Sequence, residues 1–354
     1  MDYCEERKYL GSTRQIFRVD EYRKIGGRGD GIRAVEVRNG NSLCFTSVTD
    51  RCMDIHYLNY YGYNFGFLTG TGDVAPAYYD DKEKGWLRSF TAGFLSTCGL
   101  RNIGNACDFE GRHHGLHGRI GSAPAEYIAV RPGDELDNEP KAEISGIMRE
   151  SLPSGETLTL SRKITTIYRD KRIYISDIVT NEGFEKTLHM ILYHFNIGYP
   201  LLCEKSLLIL PSRDVRGMDN LSQAHIEEWK KFAPPKVDAP GMCYYHKLKT
   251  DSTGKTFAGV YNPDLELGVA IRFDNSVLDH FAQWYQMASG YYTTGLEPCN
   301  ATLGGVQENI DNGSAKYLEA RQSIKYDLTI QLLEGRSDYN ELVNESESYT
   351  TVLE

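Results

Sequence analysis

The sequence predicts an all-β fold, either a sandwich or a barrel, on two observations. Short runs in which apolar and polar residues alternate recur along the 354 residues, and clusters of Gly, Pro, Asn and Asp separate them. No long amphipathic helix interrupts these runs, although the pattern of 222–232 is compatible with a helix of about three turns. The regular exchange of strands and helices that is typical of a parallel sheet does not occur.

The predicted elements of the first part of the chain form a meander of strands that leads into a loop. A strand at 31–38 ends at the turn signal Asn39-Gly40-Asn41, and strands at 43–48 and 50–55 follow it. From 69 to 88 the alternation gives way to Gly, Pro, Asp and Lys. This composition predicts a surface loop of the kind that often rims a site.

Two segments between 90 and 121 have an unusual composition. Residues 90–102 are apolar and interrupted by glycines, so the backbone is expected to pass close to another part of the chain. The segment His113-His114-Gly115-Leu116-His117-Gly118 contains three histidines within five residues. Because this is untypical of a core strand, it predicts a loop at a functional site.

Strand patterns continue through the second part of the chain. The predicted strands lie at 126–130, 142–147, 157–167, 172–180, 187–193, 259–262, 268–273, 281–285 and 325–333. One of the turns between them is Pro132-Gly133-Asp134, and the acidic tail from Glu334 is expected to be partly loose. Neither a repeat nor a linker composition divides the chain, which predicts one domain over 1–354.

Composition excludes several classes of partner and compartment. The formal net charge is −10, whereas a nucleic-acid surface needs clustered Lys and Arg. No run of about 18 apolar residues predicts a membrane helix, and the charged segment 1–23 lacks the apolar stretch of a signal peptide. The eight cysteines have no C-x-x-C spacing and are expected to be reduced, mainly buried thiols. A cytoplasmic protein with a small-molecule partner is predicted.

Motif searches leave few chemistries open. The sequence lacks the G-x-x-x-x-G-K-[ST] phosphate loop, a dinucleotide-binding G-x-G-x-x-G between a strand and a helix, and the G-x-S-x-G of serine hydrolases. The candidate metal site is the cluster of His113, His114 and His117, which Glu110 and His194 could complete.

Three scattered polar residues, His117, His194 and Glu297, lie in apolar or aromatic surroundings. Alternation along the strand around His194 predicts two faces: Met190, Leu192, His194 and Asn196 on one, and Ile191, Tyr193 and Phe195 on the other. A histidine with a glutamate forms a natural acid/base pair near neutral pH. The alternative for each of the three is a structural role in the core.

Five short motifs occur in a fixed order: Asp50 to Ile55, Thr97 to Leu100, His117-Gly118-Arg119, Tyr193 to Leu202, and Gly295 to Pro298. In this order they resemble the galactose mutarotase (aldose 1-epimerase) superfamily, and more closely its uncharacterised aldose-1-epimerase-like branch. The resemblance spans about residues 10–335. It implies a large antiparallel β-supersandwich with a sugar-binding cleft on one concave face.

The resemblance also implies a mechanism with a sugar as the partner. Glu297 would take the proton of the anomeric hydroxyl, His194 would protonate the ring oxygen, and His117 would hydrogen-bond the ring-oxygen region. The ring opens, the C1–C2 bond rotates, and reclosure gives the other anomer. This mechanism needs Glu297 ionised and His194 protonated, and it requires no metal or organic cofactor.

The family's arginine and aspartate contacts are matched less completely. Candidates for the arginine are Arg101, Arg119 and Arg51, and arginines at the site would favour an acidic, sulfonated or phosphorylated sugar. For Arg51 the alternative is an ion pair with Asp50 or Asp54. The candidates for a substrate-binding aspartate are Asp238, Asp264 and Asp274.

Three further residues are candidate substrate contacts. Asn196 lies in the motif that contains His194. Trp284 and Tyr292 could stack on the face of a sugar, although aromatic residues of a β-sandwich often belong to its core.

Three functions therefore remain open. A cofactor-free epimerase, similar to the mutarotases, requires His194, His117 and Glu297 to converge within the width of one sugar. A non-catalytic sugar-binding sandwich would keep the acid and the base too far apart to span one ring. A metal-dependent sugar isomerase or lyase would use the histidines at 113, 114 and 117.

Overall fold

The computed structural model describes residues 3–82, 84–133 and 139–349. Asp134 of the predicted turn and residues 350–354 of the acidic tail lie outside the described residues. Most of the regular structure in the described ranges consists of antiparallel strands. No helix within these ranges is both long enough and apolar enough to cross a membrane.

Strands are numbered in chain order. The first ten are β1 (Arg18–Arg23), β2 (Arg33–Arg38), β3 (Leu43–Val48), β4 (Asp54–Tyr60), β5 (Tyr63–Asn64), β6 (Phe67–Leu68), β7 (Ala92–Gly93), β8 (Leu95–Leu100), β9 (Cys107–Phe109) and β10 (Arg112–His114). The next eight are β11 (Glu126–Arg131), β12 (Lys141–Ser151), β13 (Thr157–Ile167), β14 (Arg172–Asn181), β15 (Thr187–Leu188), β16 (Met190–Gly198), β17 (Leu207–Ile209) and β18 (Ser212–Gly217). The remaining strands are β19 (Met242–Leu248), β20 (Lys255–Asn262), β21 (Leu267–Asp274), β22 (His280–Ala288), β23 (Tyr291–Cys299), β24 (Tyr317–Leu318) and β25 (Ser323–Glu334).

Helices are short and lie between or after the strands. The α-helices of the described residues are α1 (Tyr3–Glu6), α2 (Asn220–Ala224), α3 (Val306–Asp311) and α4 (Gly335–Ser348). Single 3₁₀ turns lie at Arg7–Tyr9, Thr13–Gln15, Gly27–Gly29, Pro76–Tyr78, Gly85–Ser89, Ile120–Ser122 and Ile226–Glu228.

Three sheets of five, eight and six strands form the architecture of the described residues. The five-stranded sheet runs β1-β2-β3-β4-β5, and the eight-stranded sheet runs β11-β12-β13-β14-β25-β21-β20-β17. The six-stranded sheet runs β18-β19-β22-β23-β16-β8, and the pairs β6/β7, β9/β10 and β15/β24 form two-stranded ribbons. This arrangement confirms the predicted antiparallel all-β sandwich.

Apolar residues fill both faces of the six-stranded sheet. The main core joins all three sheets through residues such as Val37, Leu160 and Ile191. A second cluster contains Trp86 and Phe90 from the segment before β7. The predicted alternation of β16 is confirmed, because Ile191, Tyr193 and Phe195 belong to the main core whereas Met190 and Leu192 belong to the second cluster.

A fully buried arginine links the three sheets through ion pairs and hydrogen bonds. Arg162 of β13 pairs with Asp177 of β14 at 2.6 Å and with Asp54 of β4 at 2.7 Å. It also donates to Thr97 of β8 at 2.9 Å, and Tyr193 of β16 donates its hydroxyl to Asp177 at 2.8 Å. Because a buried charge without a partner is costly, this network strongly constrains how the three sheets pack.

The predicted strand at 50–55 is wrong in its first part. Residues 50–53 form turns, and β4 starts only at Asp54. Cys52 and Met53 have φ angles of 54° and 55°, in the left-handed region. Residues in that conformation cannot continue a strand, so the chain turns sharply here before it enters the sheet.

The predicted three-turn helix at 222–232 is also wrong in extent. α2 begins after Asp219, whose side chain accepts the N–H of Ser222 at 2.7 Å, and it ends at Ala224. The carbonyl of His225 then accepts the hydroxyl of Tyr244 at 2.9 Å. The same carbonyl accepts the N–H of Glu228 at 3.0 Å, so the chain continues as the 3₁₀ turn Ile226–Glu228 and not as an α-helix.

Most of the described part of the acidic tail is helical. Residues 335–348 form α4, which buries Leu342 against Ile209 and Phe257 of the eight-stranded sheet. Arg272 of β21 pairs with Glu345 of the helix at 2.6 Å. α4 is therefore held by an apolar contact and an ion pair that its acidic composition did not reveal.

Candidate active site

The register of the six-stranded sheet brings a histidine and a glutamate together. β16 and β23 pair with Asn196 opposite Gly295, which also places His194 opposite Glu297. Side chains of directly opposed residues start about 4.5–5.5 Å apart at Cβ. His194 Nε2 lies 3.3 Å from Glu297 Oε1.

The absence of a side chain at Gly295 makes room for this contact. Gly295 lies on the same strand face as Glu297 because the two are two residues apart. A Cβ at this position would collide with Glu297 Oε1 and would lie 3.0 Å from Trp284 Cβ and 3.2 Å from His194 Cε1. Any larger residue here would displace the acid/base pair.

His117 reaches the same place from the loop after β10. Its backbone N–H donates to the carbonyl of Gly104 at 2.8 Å, and its carbonyl accepts the N–H of Gly99 at 3.0 Å. Its Nδ1 accepts the N–H of Gly104 at 3.3 Å, so the neutral ring carries its proton on Nε2. The centroid of its ring lies 4.7 Å from that of Trp86 and 5.8 Å from that of His194.

A cavity of about 240 Å³ opens beside these three side chains. Most of its wall is apolar or aromatic, and its lining consists of Leu87, Phe90, Gly104, Asn105, Leu116, His117, His194, Met218, Cys243, Trp284, Tyr291, Glu297 and Leu303. The structure thus brings His117, His194 and Glu297 within the width of one sugar ring, as an epimerase requires. The wide separation expected of a non-catalytic binding protein is not observed.

Burial controls where the proton of the pair resides. Glu297 is 1% exposed and His194 is 5% exposed. Desolvation raises the pKa of Glu297 to about 8, and burial, helped by His117, lowers the pKa of His194 to about 3. The expectation of an ionised Glu297 beside a protonated His194 is therefore wrong for the unliganded protein. The pair holds one proton, which resides on Glu297 because a low-dielectric site disfavours both charges.

Two atoms of the pair are buried without a hydrogen-bond partner among the described residues. They are His194 Nδ1 and Glu297 Oε1, whose contact with His194 Nε2 is not aligned as a hydrogen bond. An unsatisfied buried polar group costs about 1–3 kcal/mol. A ligand whose hydroxyl groups enter the cavity could satisfy Glu297 Oε1 and recover part of this cost.

Two of the predicted substrate contacts, Arg101 and Arg119, lie outside this cavity. Both line a larger cavity on the other side of the histidine loop. Arg101 pairs with Glu156 at 2.6 Å, and Arg119 lies 3.1 Å from Asp81. The position of an arginine in the sequence did not indicate which side of the loop it would occupy.

Three other predicted contacts have structural partners. Arg51 is buried, does not line the cavity, and donates to the carbonyls of Val74, Ser89 and Gly121. The alternative ion pair does not form, because Asp50 pairs with Arg33 and Asp54 with Arg162. Asn196 is fully buried and donates to the carbonyl of His194 at 3.0 Å. Tyr292 donates its hydroxyl to the carbonyl of Ala233 at 2.8 Å. Trp284, in contrast, lines the cavity.

None of the three aspartate candidates lies in the cavity wall. Asp264 pairs with Lys205 at 2.7 Å, and Asp274 accepts the N–H of Ser276 at 2.8 Å. Asp238 is exposed, in the loop before β19. The cavity contains a neutral amide, Asn105, in addition to the three candidate catalytic side chains.

The histidine cluster that was the candidate metal site does not form. His113 bonds to Asp108 at 2.8 Å and to the carbonyl of Asp81 at 2.9 Å. His114 lines the larger cavity with the arginines, whereas His117 contacts His194. Within the described ranges, no three or more His, Cys, Asp or Glu side chains lie close enough to hold a metal ion.

Several lining residues were missed in the sequence, and one of them had a usable signal. Tyr291 lies six residues before Glu297 on the same strand, so alternation places both on one face. Phe90, Leu116 and Met218 come from loops, where no periodicity predicts the direction of a side chain. These residues join the site through tertiary packing alone.

Comparison with known proteins places this chain in a family. The family described as "Domain of unknown function (DUF4432)" matches residues 29–332. No curated protein matches the sequence. Solved structures with the same fold are known at low sequence identity.

Three of these structures illustrate the likeness. A candidate aldose 1-epimerase from Klebsiella pneumoniae has a TM-score of 0.88 at 21% identity, over 94% of this chain and 87% of that one. A galactose mutarotase-like protein from Clostridium acetobutylicum has a TM-score of 0.63 at 12% identity, over 90% and 99%. A galactose 1-epimerase from Lactobacillus acidophilus has a TM-score of 0.58 at 10% identity, over 90% and 100%. The chain belongs to the DUF4432 family and has the galactose mutarotase-like fold.

Proposed function

We propose that the protein interconverts the α and β anomers of an aldose by acid/base ring opening and closing. The observation that carries this proposal is the buried contact of 3.3 Å between His194 Nε2 and Glu297 Oε1 beside the cavity. Ring opening removes a proton from the anomeric hydroxyl and delivers one to the ring oxygen. Because both oxygens are bonded to C1, the acid and the base must lie as close together as these two side chains do.

One proton held by the pair is enough for the full cycle. Sugar hydroxyls that donate to the unpartnered Oε1 would stabilise the carboxylate of Glu297 and shift the proton to His194. Glu297 then takes the proton of the anomeric hydroxyl, while His194 protonates the ring oxygen and the C1–O5 bond breaks. After rotation about C1–C2, both transfers reverse and the ring closes as the other anomer.

The other polar and aromatic groups of the wall would position the sugar. His117 has its Nδ1 engaged by Gly104, which leaves the Nε2–H to donate to the ring-oxygen region. Trp284 and Tyr291, whose ring centroids lie 5.5 Å apart, offer apolar surfaces for the C–H face of a sugar.

The charge of the wall favours a neutral aldose. No Lys or Arg occurs among the described residues that line the cavity. A carboxylate, sulfonate or phosphate bound there would be buried without a cationic partner, which is unfavourable. The names of the structural neighbours, which include a galactose 1-epimerase, support a sugar as the ligand.

The test is an assay of anomer interconversion by polarimetry or NMR, corrected for the spontaneous rate. We expect catalysis with at least one neutral aldose from a panel of hexoses and pentoses. Galacturonate and glucose 6-phosphate are expected to react much more slowly than the best neutral sugar. Absence of catalysis with every aldose would refute the proposal, and a preference for the anionic sugars would refute the assignment to neutral substrates.

The pH dependence of kcat/KM is expected to reflect the buried pair. Activity requires the pair of His194 and Glu297 to hold one proton. The pair loses this proton as the pH rises through the raised pKa of Glu297, about 8. Activity should therefore persist at pH 7.5 and fall above about 8, with the acid limb near the lowered pKa of His194, about 3. If the two side chains had ordinary pKa values, the enzyme would lose activity above about pH 6.5. A fall already complete at pH 7 would contradict this assignment.

A further inference from the structure

A second cavity, of about 460 Å³, lies on the other side of the loop that carries His117. Four arginines line it, namely Arg101, Arg112, Arg119 and Arg149. The loop separates the two cavities, because Leu116 and His117 line the first whereas His114, Gly115, Gly118 and Arg119 line the second. Its volume lies within the range of small-molecule sites.

Two of the guanidinium groups in this cavity are held in place by one carboxylate. Arg101 Nη1 lies 2.6 Å from Glu156 Oε2, and Arg112 Nη1 lies 2.5 Å from the same oxygen. Arg101 Nε is buried and has no partner among the described residues. A guanidinium has five N–H donors, so Arg101 keeps donors for a ligand while its position is fixed.

A third arginine is positioned by an aromatic ring. The guanidinium of Arg119 lies 5.5 Å from the ring centroid of Tyr79, and its Nη2 lies 3.1 Å from Asp81 Oδ2. Arg149, the fourth, is neutralised by Glu182 at 2.5 Å. Arg101 and Arg119 are therefore the cations best placed to meet a bound group.

A buried histidine in the same wall has an unused nitrogen. His114 is 9% exposed, and its Nε2 has no hydrogen-bond partner within the described ranges. Burying such an atom costs free energy unless a ligand or a water molecule forms a hydrogen bond with it. This unpartnered group, independent of the arginines, indicates that the cavity accommodates a polar ligand.

Glu150 is the other acidic residue of the wall, and it repels an anion less than a fully ionised carboxylate would. Glu150 accepts the N–H of Leu100 at 3.0 Å, and burial raises its pKa to about 7. Near neutral pH a large fraction of this carboxyl is protonated and can donate a hydrogen bond. The positive charge of the guanidinium groups then outweighs the negative charge of the cavity wall.

We propose that this cavity is a second ligand site, which binds a small molecule through a carboxylate or phosphate group held by Arg101 and Arg119. Guanidinium groups pair with such oxyanions through parallel N–H donors, which a neutral hydroxyl cannot match in strength. The site is separate from the sugar cavity and does not depend on the proposed epimerase activity.

The test is isothermal titration of the full-length protein at low ionic strength with inorganic phosphate, D-gluconate and D-sorbitol. Sorbitol is an uncharged polyol of the size of gluconate. At least one anion is expected to bind, and sorbitol is not. Binding of phosphate alone or gluconate alone identifies the preferred oxyanion, and binding of neither refutes the proposal. Equal affinity for sorbitol also refutes it.

Variants then locate the bound anion. Arg101→Gln and the half-exposed Arg119→Gln are each expected to weaken binding by roughly 10-fold or more. Arg38→Gln removes a surface arginine paired with Glu36 at 2.9 Å and is expected to bind as the wild type does. Glu297→Gln is also expected to bind the anion normally. Unchanged affinity in both Arg101→Gln and Arg119→Gln, or loss of binding in Glu297→Gln, would overturn the proposal.

Discussion

Replacing Glu297 with Gln is expected to lower kcat for anomer interconversion by roughly 10²–10⁴-fold, the range that a general acid or base contributes. Gln keeps the size and the neutral charge of the protonated carboxyl, but it can neither release nor accept the transferred proton. Because the charge of the unliganded site does not change, the thermal midpoint is expected to shift by no more than about 2–4 °C. NMR exchange spectroscopy on the best neutral aldose and a thermal melt measure the two effects.

Control variants distinguish a loss of catalysis from a loss of folded protein. Glu345→Gln alters a half-buried carboxylate of α4 that pairs with Arg272 of β21, and neither residue lines the cavity. It is expected to retain full activity. His194→Asn should be as impaired as Glu297→Gln, and the double variant should be little worse than either, because the two groups act as a unit. Full activity in either single variant would rule out the proposed mechanism.

Replacing Arg162 with Met is expected to destabilise the protein by about 3–5 kcal/mol, the cost of breaking a buried ion pair by removing one partner. Arg162 is fully buried between Asp54 and Asp177, and both carboxylates would lose their cation. The urea midpoint at constant pH measures the change. Activity should fall as well, since Tyr193 bonds to Asp177 and precedes His194 on β16.

A rescue experiment tests whether the lost charge balance causes this effect. Adding Asp54→Asn and Asp177→Asn to Arg162→Met removes the unpaired carboxylates and is expected to restore part of the stability. Arg38→Met, which removes an exposed arginine paired with Glu36, should cost less than about 1 kcal/mol. If Arg162→Met is no less stable than Arg38→Met, the buried network does not hold the sheets together.

Much of the fold could be predicted because strand residues obey a local period of two. The faces of β16 followed directly from this period, which separated Ile191 and Tyr193 of the main core from Leu192 of the second cluster and His194 of the cavity wall. The same period would have placed Tyr291 on the strand face that carries Glu297. The predictions failed in the first part of 50–55 and in the extent of the helix at 222–232. Left-handed residues decided the structure at the first position, and a 3₁₀ turn after His225 decided it at the second. The packing of Leu342, which orders α4, was not predicted either.

Charge patterns in the sequence were a poorer guide to the site. Three histidines within five residues predicted one cluster, yet His113, His114 and His117 have three different surroundings. Leu116 and His117 line the smaller cavity, whereas the residues on either side of them in the loop line the larger one, and sequence proximity does not specify which side a residue faces. The same reason separates Arg119 from the cavity that its neighbour His117 lines.

The sequence by itself determined an antiparallel all-β fold and, through its ordered motifs, the identity of His117, His194 and Glu297 as the candidate site residues. Only the tertiary structure decided that they meet, because the register between β16 and β23 and the space left by Gly295 bring His194 and Glu297 into contact. It also decided their protonation, since desolvation depends on the side chains packed around a group. Burial therefore turned the predicted ion pair into a neutral pair that holds one proton.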